Sequence, residues 1–414
     1  MKDIKIGVIG LGYVGLPMAL LFSKKYKTIG FDINSTKVDQ LTSGNCSNSD
    51  VDTSAISEAI ANGQLTLTSD SSLLGECNFY VIAVPTPVGK DNHADLEPLR
   101  GASEEVGKWL CEGDIVVYES TVYPGLTEEF CVPILEKVSG MTFNEDFFVG
   151  YSPERINPSD KLHQVNNITK VTSGSNEATA ETVDNVYNSV ISAGTFRASS
   201  IKVAEASKIM ENCERDVLIA FTNEMHVILR QLGIDSAEVR KAASTKWNFV
   251  CLQPGLVGGH CIAVDPYYLI DKAKEAGVNP QLLTAARNVN EQMAVDLANR
   301  TLMRISKRGT TLSDAKVLVL GFAFKPNCDD IRNTKVEILV NRLKDCIDTV
   351  DIFDPIINPA AAKHEYDITV NTDISAIEEG KYDAVVIGTQ HDCFRQLPLL
   401  SYVKEKGFII DIND

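Results

Sequence analysis

The sequence predicts an α/β protein in which two doubly wound parallel-sheet domains are joined by a long central helix. Three patterns predict this fold class: strand-like and helical segments alternate early in the chain, a helical pattern free of proline covers residues 201–232, and the alternation returns from residue 316. Buried strands that alternate with helices are typical of parallel sheets covered on both faces. The predicted domains are residues 1–199, 200–308 and 309–414.

The first domain begins with a strand, a turn and a helix. An apolar run at residues 4–9 ends in a glycine-rich turn, residues 16–25 follow a helical pattern, and residues 27–31 form a second strand that ends at Asp32. Further strands are predicted at residues 79–84, 115–119 and 147–150, each followed by a loop rich in Pro, Ser or Thr. This order predicts a parallel sheet.

The central helix covers residues 201–232 and stops at Gly233. About thirty residues give a rod of about 45 Å, which is longer than one small domain needs. A second helical pattern covers residues 280–307. We therefore expect a spine that joins two domains and that also serves as the interface of a homodimer.

The last domain repeats the opening pattern. A strand at residues 316–320 ends at Gly321, a helix is predicted for 334–346, and a strand at 349–353 ends at Asp354. The predicted strands at 384–388 and 408–412 have an apolar pattern similar to that of strands in the first domain. A second doubly wound domain without the full glycine fingerprint explains this pattern, and a generic α/β domain of separate origin is the alternative.

Composition narrows the classes of partner and compartment. The 414 residues carry 39 basic and 56 acidic side chains, a net charge of −17, which disfavours nucleic acid and anionic membranes as partners. Ten cysteines without a CxxC pair, with no signal peptide and no membrane-spanning run, predict a reducing cytoplasm and no disulfide framework. We expect no metal site.

The glycine-rich turn predicts the cofactor. The segment reads Gly10-Leu11-Gly12-Tyr13-Val14-Gly15. In the dinucleotide-binding fingerprint, the first glycine permits a tight turn, the second admits the pyrophosphate, and the third lets the helix pack closely on the sheet. The acidic residue at the end of the next strand, Asp32, is placed to accept hydrogen bonds from the adenosine ribose and to repel a 2′-phosphate. The sequence therefore predicts a Rossmann domain that binds NAD rather than NADP.

A second group of motifs carries candidate chemistry. Cys261 follows Gly258-Gly259-His260, and Asp265 lies four residues later. Lys208 and Asn212 are spaced i, i+4 on the central helix, where a cation and an amide can stabilise an oxyanion. Each feature alone also has a simpler explanation. The cysteine can be a small buried hydrophobic residue, and Lys208 with Asn212 can form an exposed polar helix face.

The chain resembles the UDP-glucose/GDP-mannose dehydrogenase family over its whole length. The matching segments are GLGYVGLP, FDIN, AVPTP, ESTVYPG, YSPERINP, EASKIMEN, QPGLVGGHCIAVDPYYL and AFKPNCDDIRNTK. The resemblance implies oxidation of C6 of a nucleotide sugar from alcohol to carboxylate, with two NAD reduced and no release of the aldehyde. It also implies that the first predicted domain binds NAD, the second carries the cysteine loop, and the third binds the UDP-sugar.

The resemblance also implies roles for individual residues. Cys261 is the nucleophile, Lys208 and Asn212 stabilise the oxyanion and position water, and Asp265, Glu154 and Thr121 assist hydrolysis. The remaining cofactor-side residues are Lys37, Thr86, Thr121 and Arg332, and the substrate-side residues are Glu154, Arg155, Lys208, Asn212, Trp247, Asn248, Gly258, Phe324 and Lys325.

Departures from the family pattern bear on the substrate. Pro158 stands where glucose-specific members place a second glutamate, and the segments SPERINP and KWNF (residues 246–249) resemble enzymes that act on UDP-N-acetylglucosamine or UDP-N-acetylgalactosamine. A C-terminal arginine of some members has no match at 411–413, where Arg395 is an alternative. UDP-glucose and UDP-N-acetylmannosamine remain alternative substrates. A nucleotide-sugar sensor or scaffold is the alternative outside the enzymes.

Overall fold

The computed structural model describes residues 3–46, 51–87, 95–156 and 162–414, which fall into two units. The first unit comprises Met1–Glu211 with Tyr267–Lys272, and the second comprises Asn212–Pro266 with Ala273–Asp414. Within the described ranges, no helix combines the length and the apolar character that a bilayer crossing requires.

The first unit is built on a six-stranded sheet in the order β3-β2-β1-β4-β5-β6, with every neighbouring pair parallel. Its strands are β1 (Lys5–Ile9), β2 (Lys27–Phe31), β3 (Leu65–Thr68), β4 (Phe79–Ile82), β5 (Ile115–Tyr118) and β6 (Phe148–Tyr151). This is the strand order of a Rossmann domain, so the predicted fold class is confirmed for the N-terminal part. The sequence did not predict β3, whose four residues include only one buried side chain, Leu65.

Helices cover both faces of this sheet. They are α1 (Gly15–Ser23), α2 (Ser35–Thr42), α3 (Thr53–Ala61), α4 (Glu97–Gly107), α5 (Val132–Ser139) and α6 (Glu177–Asn188), with a parallel pair formed by β7 (Lys170–Thr172) and β8 (Thr195–Arg197). Alternate residues of β4 enter different cores: Phe79 and Val81 belong to one cluster, and Tyr80 and Ile82 to the other. Because both faces are covered, the inner strands β4 and β5 are apolar and buried at every residue rather than alternating.

One helix, α7 (Ile201–Gln231), belongs to both units. Its 31 residues correspond to about 46 Å at 1.5 Å per residue, which confirms the long central helix. The helices that follow are α8 (Ser236–Ala243), α9 (Asp265–Glu275) and α10 (Gln281–Lys307).

The second unit contains a four-stranded parallel sheet in the order β10-β9-β11-β12. Its elements are β9 (Lys316–Leu320), α11 (Val336–Lys344), β10 (Thr349–Phe353), α12 (Pro359–Tyr366), β11 (Tyr382–Ile387), α13 (Leu399–Tyr402) and β12 (Val403–Ile410). Residues of α10 and α11 pack on this sheet in a single apolar cluster. Helix α11 begins at Val336 rather than at 334, because the hydroxyl of Thr334 accepts a hydrogen bond from the Val336 N–H at 3.2 Å.

The two sheets repeat one local design. The Gly10 N–H donates to the carbonyl of Phe31, and the Gly321 N–H donates to the carbonyl of Phe353, each at 2.8 Å. Both glycines have positive φ, +93° and +82°, a backbone conformation that side chains rarely allow. In each unit an aspartate follows the second strand and accepts hydrogen bonds from the glycine turn. The second domain is therefore doubly wound. It differs from the first in the groups that donate hydrogen bonds to this aspartate.

Candidate functional site

The glycine turn between β1 and α1 has the geometry of a pyrophosphate cradle. A Cβ added to Gly12 would meet nothing within 4 Å, whereas one added to Gly15 would lie 1.8 Å from the Gly10 carbonyl oxygen. No described side chain caps the N-terminus of α1, where Val14 is the N-cap residue. Free N–H groups and the helix dipole favour an anion at this point. The residues present therefore fit a dinucleotide phosphate.

Asp32 lies at the end of β2 and organises the ribose side of this cradle. Its Oδ2 accepts hydrogen bonds from the Leu11 N–H at 2.9 Å and from Lys37 Nζ at 2.8 Å, and its Oδ1 accepts one from the Asn34 N–H at 3.0 Å. Burial alone raises the pKa of Asp32, but these donors outweigh burial and hold the pKa below its usual value. Asp32 is therefore an anionic acceptor at neutral pH.

Lys37 reaches Asp32 from the first turn of α2. The Asn34 side chain caps this helix by accepting the Lys37 N–H at 3.0 Å. The Lys37 side chain is 39% exposed, so its ion pair with Asp32 lies at the rim of the cradle. The structure thus brings the glycine turn, Asp32 and Lys37 together.

Thr86 and Thr121 also meet in the first unit. The Thr86 hydroxyl donates to the Thr121 carbonyl at 2.9 Å, joining the segments that follow β4 and β5. The Tyr268 hydroxyl donates to the Thr86 carbonyl at 2.5 Å, and sequence analysis did not single out this tyrosine. These bonds hold the two threonines at the carboxyl edge of the sheet, where ligands bind in doubly wound folds.

Glu154 follows β6 at the same edge of the sheet. Its Oε1 accepts hydrogen bonds from the N–H groups of Arg155 at 2.6 Å and Ile156 at 2.5 Å. The Arg155 guanidinium pairs with Glu211 at 2.8 Å and donates to the Thr169 carbonyl. Buried Lys170 lies 3.4 Å from Glu154 Oε2, a contact that sequence reasoning missed.

In the second unit, Cys261 precedes α9 in a tight loop. The Cys261 carbonyl accepts hydrogen bonds from the N–H groups of Val264 and Asp265 at 2.9 and 2.8 Å. Asp265 is buried at the start of α9, and its Oδ2 accepts a short hydrogen bond from Asn212 Nδ2. Cys261 itself is partly exposed. The structure therefore places a thiol, a carboxylate and an amide from three predicted positions in one region.

The glycines before Cys261 allow another loop to approach. A Cβ at Gly258 would lie 2.7 Å from the Asn333 carbonyl oxygen, and one at Gly259, whose φ is +83°, would lie 2.7 Å from the Phe324 ring. The Asn333 side chain donates to the Gly259 carbonyl at 3.2 Å. The cysteine loop and the loop after β9, which carries Phe324 and Lys325, are thus packed together.

Arg332, on the loop after β9, forms an ion pair with Asp330, which the sequence analysis did not consider. Its guanidinium donates to both carboxylate oxygens of Asp330, at distances of 2.5 to 3.1 Å. Burial alone raises the pKa of Asp330, but Arg332 outweighs burial and the pKa is lowered. His260 Nδ1 lies 3.6 Å from the same carboxylate. Asp330 therefore links Arg332 to the cysteine loop.

The other predicted residues differ in exposure, and part of one predicted segment lies outside the described residues. Trp247 is 92% exposed, and Asn248 is exposed as well. Lys208 is buried on α7. Asn157 and Pro158 of the SPERINP segment lie outside the described residues. Among the residues that are described, no cluster of His, Cys, Asp or Glu suits a metal ion.

Sequence profiles of one family match most of the chain. They describe an NAD binding domain at residues 4–191, a central domain at 202–292 and a UDP binding domain at 318–414, all of the UDP-glucose/GDP-mannose dehydrogenase family. The chain belongs to the UDP-glucose/GDP-mannose dehydrogenase family. It is an NAD-dependent nucleotide-sugar dehydrogenase, and the predicted cofactor is confirmed.

Two relatives and one solved structure show how far the similarity extends. The chain is 49% identical over 397 residues to UDP-N-acetyl-D-glucosamine 6-dehydrogenase of Pseudomonas aeruginosa, covering 96% of this chain and 93% of that one. It is 46% identical over 417 residues to the enzyme of the same name from Salmonella typhi, covering 100% and 96%. The structure of UDP-D-ManNAc dehydrogenase from Pyrococcus horikoshii superimposes with a TM-score of 0.90 at 30% identity, covering 99% and 95%.

Proposed function

We propose that this protein oxidises C6 of UDP-N-acetylglucosamine or UDP-N-acetylgalactosamine to the carboxylate, with Cys261 as the nucleophile. The observation that carries the mechanism is the loop in which partly exposed Cys261 precedes α9 while Asp265 accepts the Asn212 amide. The substrate class is supported by the two relatives at 49% and 46% identity and by the SPERINP and KWNF segments. Activated uronic acids of this kind are donors for surface polysaccharide, which is the use we expect.

NAD, when bound, accepts a hydride in each of the two oxidations. The first oxidation removes a hydride and a proton from the C6 alcohol and gives an aldehyde. The Cys261 thiolate then adds to the aldehyde carbon, and the resulting thiohemiacetal loses the second hydride and becomes a thioester. Water attacks the thioester carbonyl, the C–S bond breaks, and carboxylate and thiol are formed. Covalent capture keeps the reactive aldehyde on the enzyme between the two oxidations.

The polar residues divide the remaining work. We assign stabilisation of the oxyanion to Lys208 and Asn212, because an ammonium and an amide both donate to a developing negative charge. Asp265 holds the Asn212 amide and takes part in activating water. We assign the role of a base, together with Thr121, to Glu154, which has two backbone donors on one oxygen and Lys170 beside the other.

The two nucleotides are assigned to different domains. We propose residues 1–199 as the NAD domain, residues 200–308 as the central domain with the cysteine loop, and residues 309–414 as the UDP-sugar domain. The UDP-sugar side comprises Arg155, Trp247, Asn248, Gly258, Phe324 and Lys325, and the NAD side comprises the glycine turn, Asp32, Lys37, Thr86, Thr121 and Arg332. Matches of the NAD and UDP binding profiles at 4–191 and 318–414 support this division.

We further propose a cytoplasmic homodimer formed through α7. This helix is the longest helix of the described residues. Its large apolar side chains at Met210, Phe221 and Ile228 are exposed. Exposed apolar side chains in a row favour burial against a partner. A second copy of the same helix is the occupant we expect.

The nucleophile is tested by Cys261→Ser, with Cys251→Ser as the control. Cys251 is exposed and lies ten residues earlier, so its replacement should leave turnover unchanged. Cys261→Ser should bind both ligands but lose at least about a thousandfold in turnover, because a serine hydroxyl is a much weaker nucleophile than a thiolate. Iodoacetamide should label one cysteine per chain as activity is lost, with protection by UDP-sugar. Near-normal turnover in Cys261→Ser, or inactivation by label at another cysteine, would contradict the mechanism.

The substrate is tested by NADH formation at 340 nm with four UDP-sugars. We expect the highest kcat/KM with an N-acetylhexosamine of the gluco or galacto series and two NADH per sugar. A much higher value with UDP-glucose or UDP-N-acetylmannosamine would replace the proposed substrate. Binding of UDP-sugar without any NADH would favour a sensor or scaffold.

A further inference from the structure

Four polar side chains meet in the interior of the first unit. Lys170 on β7 lies 2.7 Å from Oε2 of Glu119 and 3.4 Å from Oε2 of Glu154, and the Tyr187 hydroxyl on α6 donates to Glu119 Oε1 at 2.5 Å. Lys170, Glu119 and Tyr187 are fully buried, and the Glu154 side chain is 11% exposed. We call these residues the Lys170 cluster. The reaction proposed above gives no role to Lys170, Glu119 or Tyr187.

The cluster carries one cation and two carboxylates. Burial lowers the pKa of Lys170, but Glu119 and Glu154 outweigh burial and raise it, so Lys170 remains an ammonium. Burial raises the pKa of Glu119 although Lys170 opposes the shift. A buried, paired charge of this kind is weak support for stability, because desolvation offsets the attraction. The Lys170 ammonium lies beside the carboxylate of Glu154, the proposed base. This position indicates a role in the reaction rather than in stability.

We propose that Lys170 is a positioning residue that orients the Glu154 carboxylate, with Glu119 and Tyr187 holding the ammonium in place. The proposal rests on the role proposed above for Glu154 as a base. Glu119 receives the shorter of the two Lys170 contacts and a second donor from Tyr187, so it fixes the ammonium. Glu154 receives the longer contact, and its other oxygen is held by backbone N–H groups.

The remaining charges around Glu154 do not substitute for Lys170. The neighbouring Arg155 guanidinium is paired with Glu211 at 2.8 Å, and it contacts the Thr169 carbonyl. Glu119, directly after β5, and Tyr187, on α6, add negative or neutral groups near Glu154. Among the described ion pairs, Lys170 is therefore the cation that contacts the Glu154 carboxylate.

Two substitutions are expected to move the pH profile of kcat in opposite directions. Lys170→Met removes the cation, so the acid limb should move to higher pH by about one unit. Glu119→Gln removes the carboxylate that competes for the ammonium, so the acid limb should move to lower pH by about half a unit or more. KM for NAD and UDP-sugar should change less than about twofold, because neither side chain reaches the surface.

The experiment measures kcat from pH 5 to 9 for both variants, with the UDP-sugar that the panel shows to be best. Lys108→Met serves as the control, since Lys108 is exposed and pairs with Glu105 at 2.7 Å, and its acid limb should stay where it is. A purely structural role would lower activity in both variants without opposite shifts, and that result would overturn the proposal. Should Lys170→Met fail to fold, as judged by thermal unfolding, Glu119→Gln decides alone, and an acid limb that is unmoved or moves upward refutes the proposal.

Glu154→Gln separates this inference from the proposed function. If Glu154→Gln keeps normal turnover, the role of Glu154 as a base is wrong, and the inference falls with it. If Glu154→Gln is inactive while Lys170→Met and Glu119→Gln keep the acid limb of the wild type, Glu154 is the base, and the positioning role of Lys170 alone is wrong.

Discussion

Removal of the Asp32 carboxylate should convert the cofactor site toward NADP without any added arginine. In the folded protein, Asp32 neutralises Lys37 through a contact of 2.8 Å. Asp32→Ser removes the anion that repels a 2′-phosphate and leaves the Lys37 ammonium beside the same position. A phosphate there gains a cation that is already held by the capped start of α2.

The size of the change follows from the contacts of Asp32. A hydrogen bond to a charged group contributes about 1.5–3 kcal/mol, and 1.4 kcal/mol is a factor of ten, so losing one ribose contact should raise KM for NAD by about 10- to 100-fold. The pair that Lys37 forms with a 2′-phosphate is partly exposed and contributes about 1 kcal/mol, about fivefold. The ratio of kcat/KM for NAD to that for NADP should therefore fall by about 50- to 500-fold.

The assay is initial rate at 340 nm with NAD and with NADP at saturating UDP-sugar. Asp32→Ser with Lys37→Met is the matched control, because it also lacks the repelling anion but has no ammonium for the 2′-phosphate, so it should use NADP less well than Asp32→Ser does. Equal use of both cofactors by the wild-type protein, or an unchanged ratio in Asp32→Ser, would refute the role given to Asp32. An NADP gain as large in the double variant as in Asp32→Ser would refute the role given to Lys37.

Three further predictions concern the cradle, the second domain and α7. Gly15→Ala should abolish NAD binding measured by calorimetry, because its Cβ would lie 1.8 Å from the Gly10 carbonyl oxygen; retained affinity would show that the turn can relax. Asp354→Asn should destabilise the protein by about 1–3 kcal/mol at pH 7 in chemical unfolding, because an amide offers one acceptor oxygen where the buried carboxylate uses both of its oxygens. The pKa of Asp354 is lowered, since the His391 and backbone donors outweigh burial, so its contribution is present above about pH 4 and is lost as pH falls further; a variant with the wild-type dependence on acid would contradict this. Phe221→Glu with Ile228→Glu should give monomers in size-exclusion chromatography with light scattering, and an unchanged mass would place any dimer interface elsewhere.

The local motifs could be predicted from the sequence, because neighbours along the chain build them. The glycine turn needs only the strand before it and the helix after it, and Asp32 lies at the end of the next strand. The four-residue spacing of Cys261 and Asp265 likewise predicted a thiol and a carboxylate close together along the chain, whereas the helix that begins at Asp265 was not predicted. In each case the backbone pattern fixes the position of the side chain.

The buried ionic contacts could not be predicted in the same way. Lys170 and Glu119 are 51 residues apart, and a lysine within a polar segment is normally expected at the surface. The ion pair between Arg332 and Asp330, an acid two residues away, was likewise not predicted. Such pairings depend on which strands become neighbours and on competing local acceptors, and neither is visible in the periodicity of one chain.

The hydrogen bonds that Asp354 already accepts at the second sheet bear on where NAD can bind. Oδ2 of Asp354 accepts hydrogen bonds from the N–H groups of Phe322 and Ala323 and from His391, and its Oδ1 accepts one from Ile356. The Asp354 side chain is fully buried and already accepts these four hydrogen bonds, which leaves it poorly placed to bind a ribose. Asp32 has three described donors and is open by comparison. In the described part of the chain, the glycine turn with an open aspartate therefore occurs in the first unit, and we expect the two NAD of the proposed reaction to use that site in turn. In the proposed mechanism the first NADH would leave while the sugar is attached to Cys261, so we expect the lifetime of the thiohemiacetal to exceed the time for cofactor exchange.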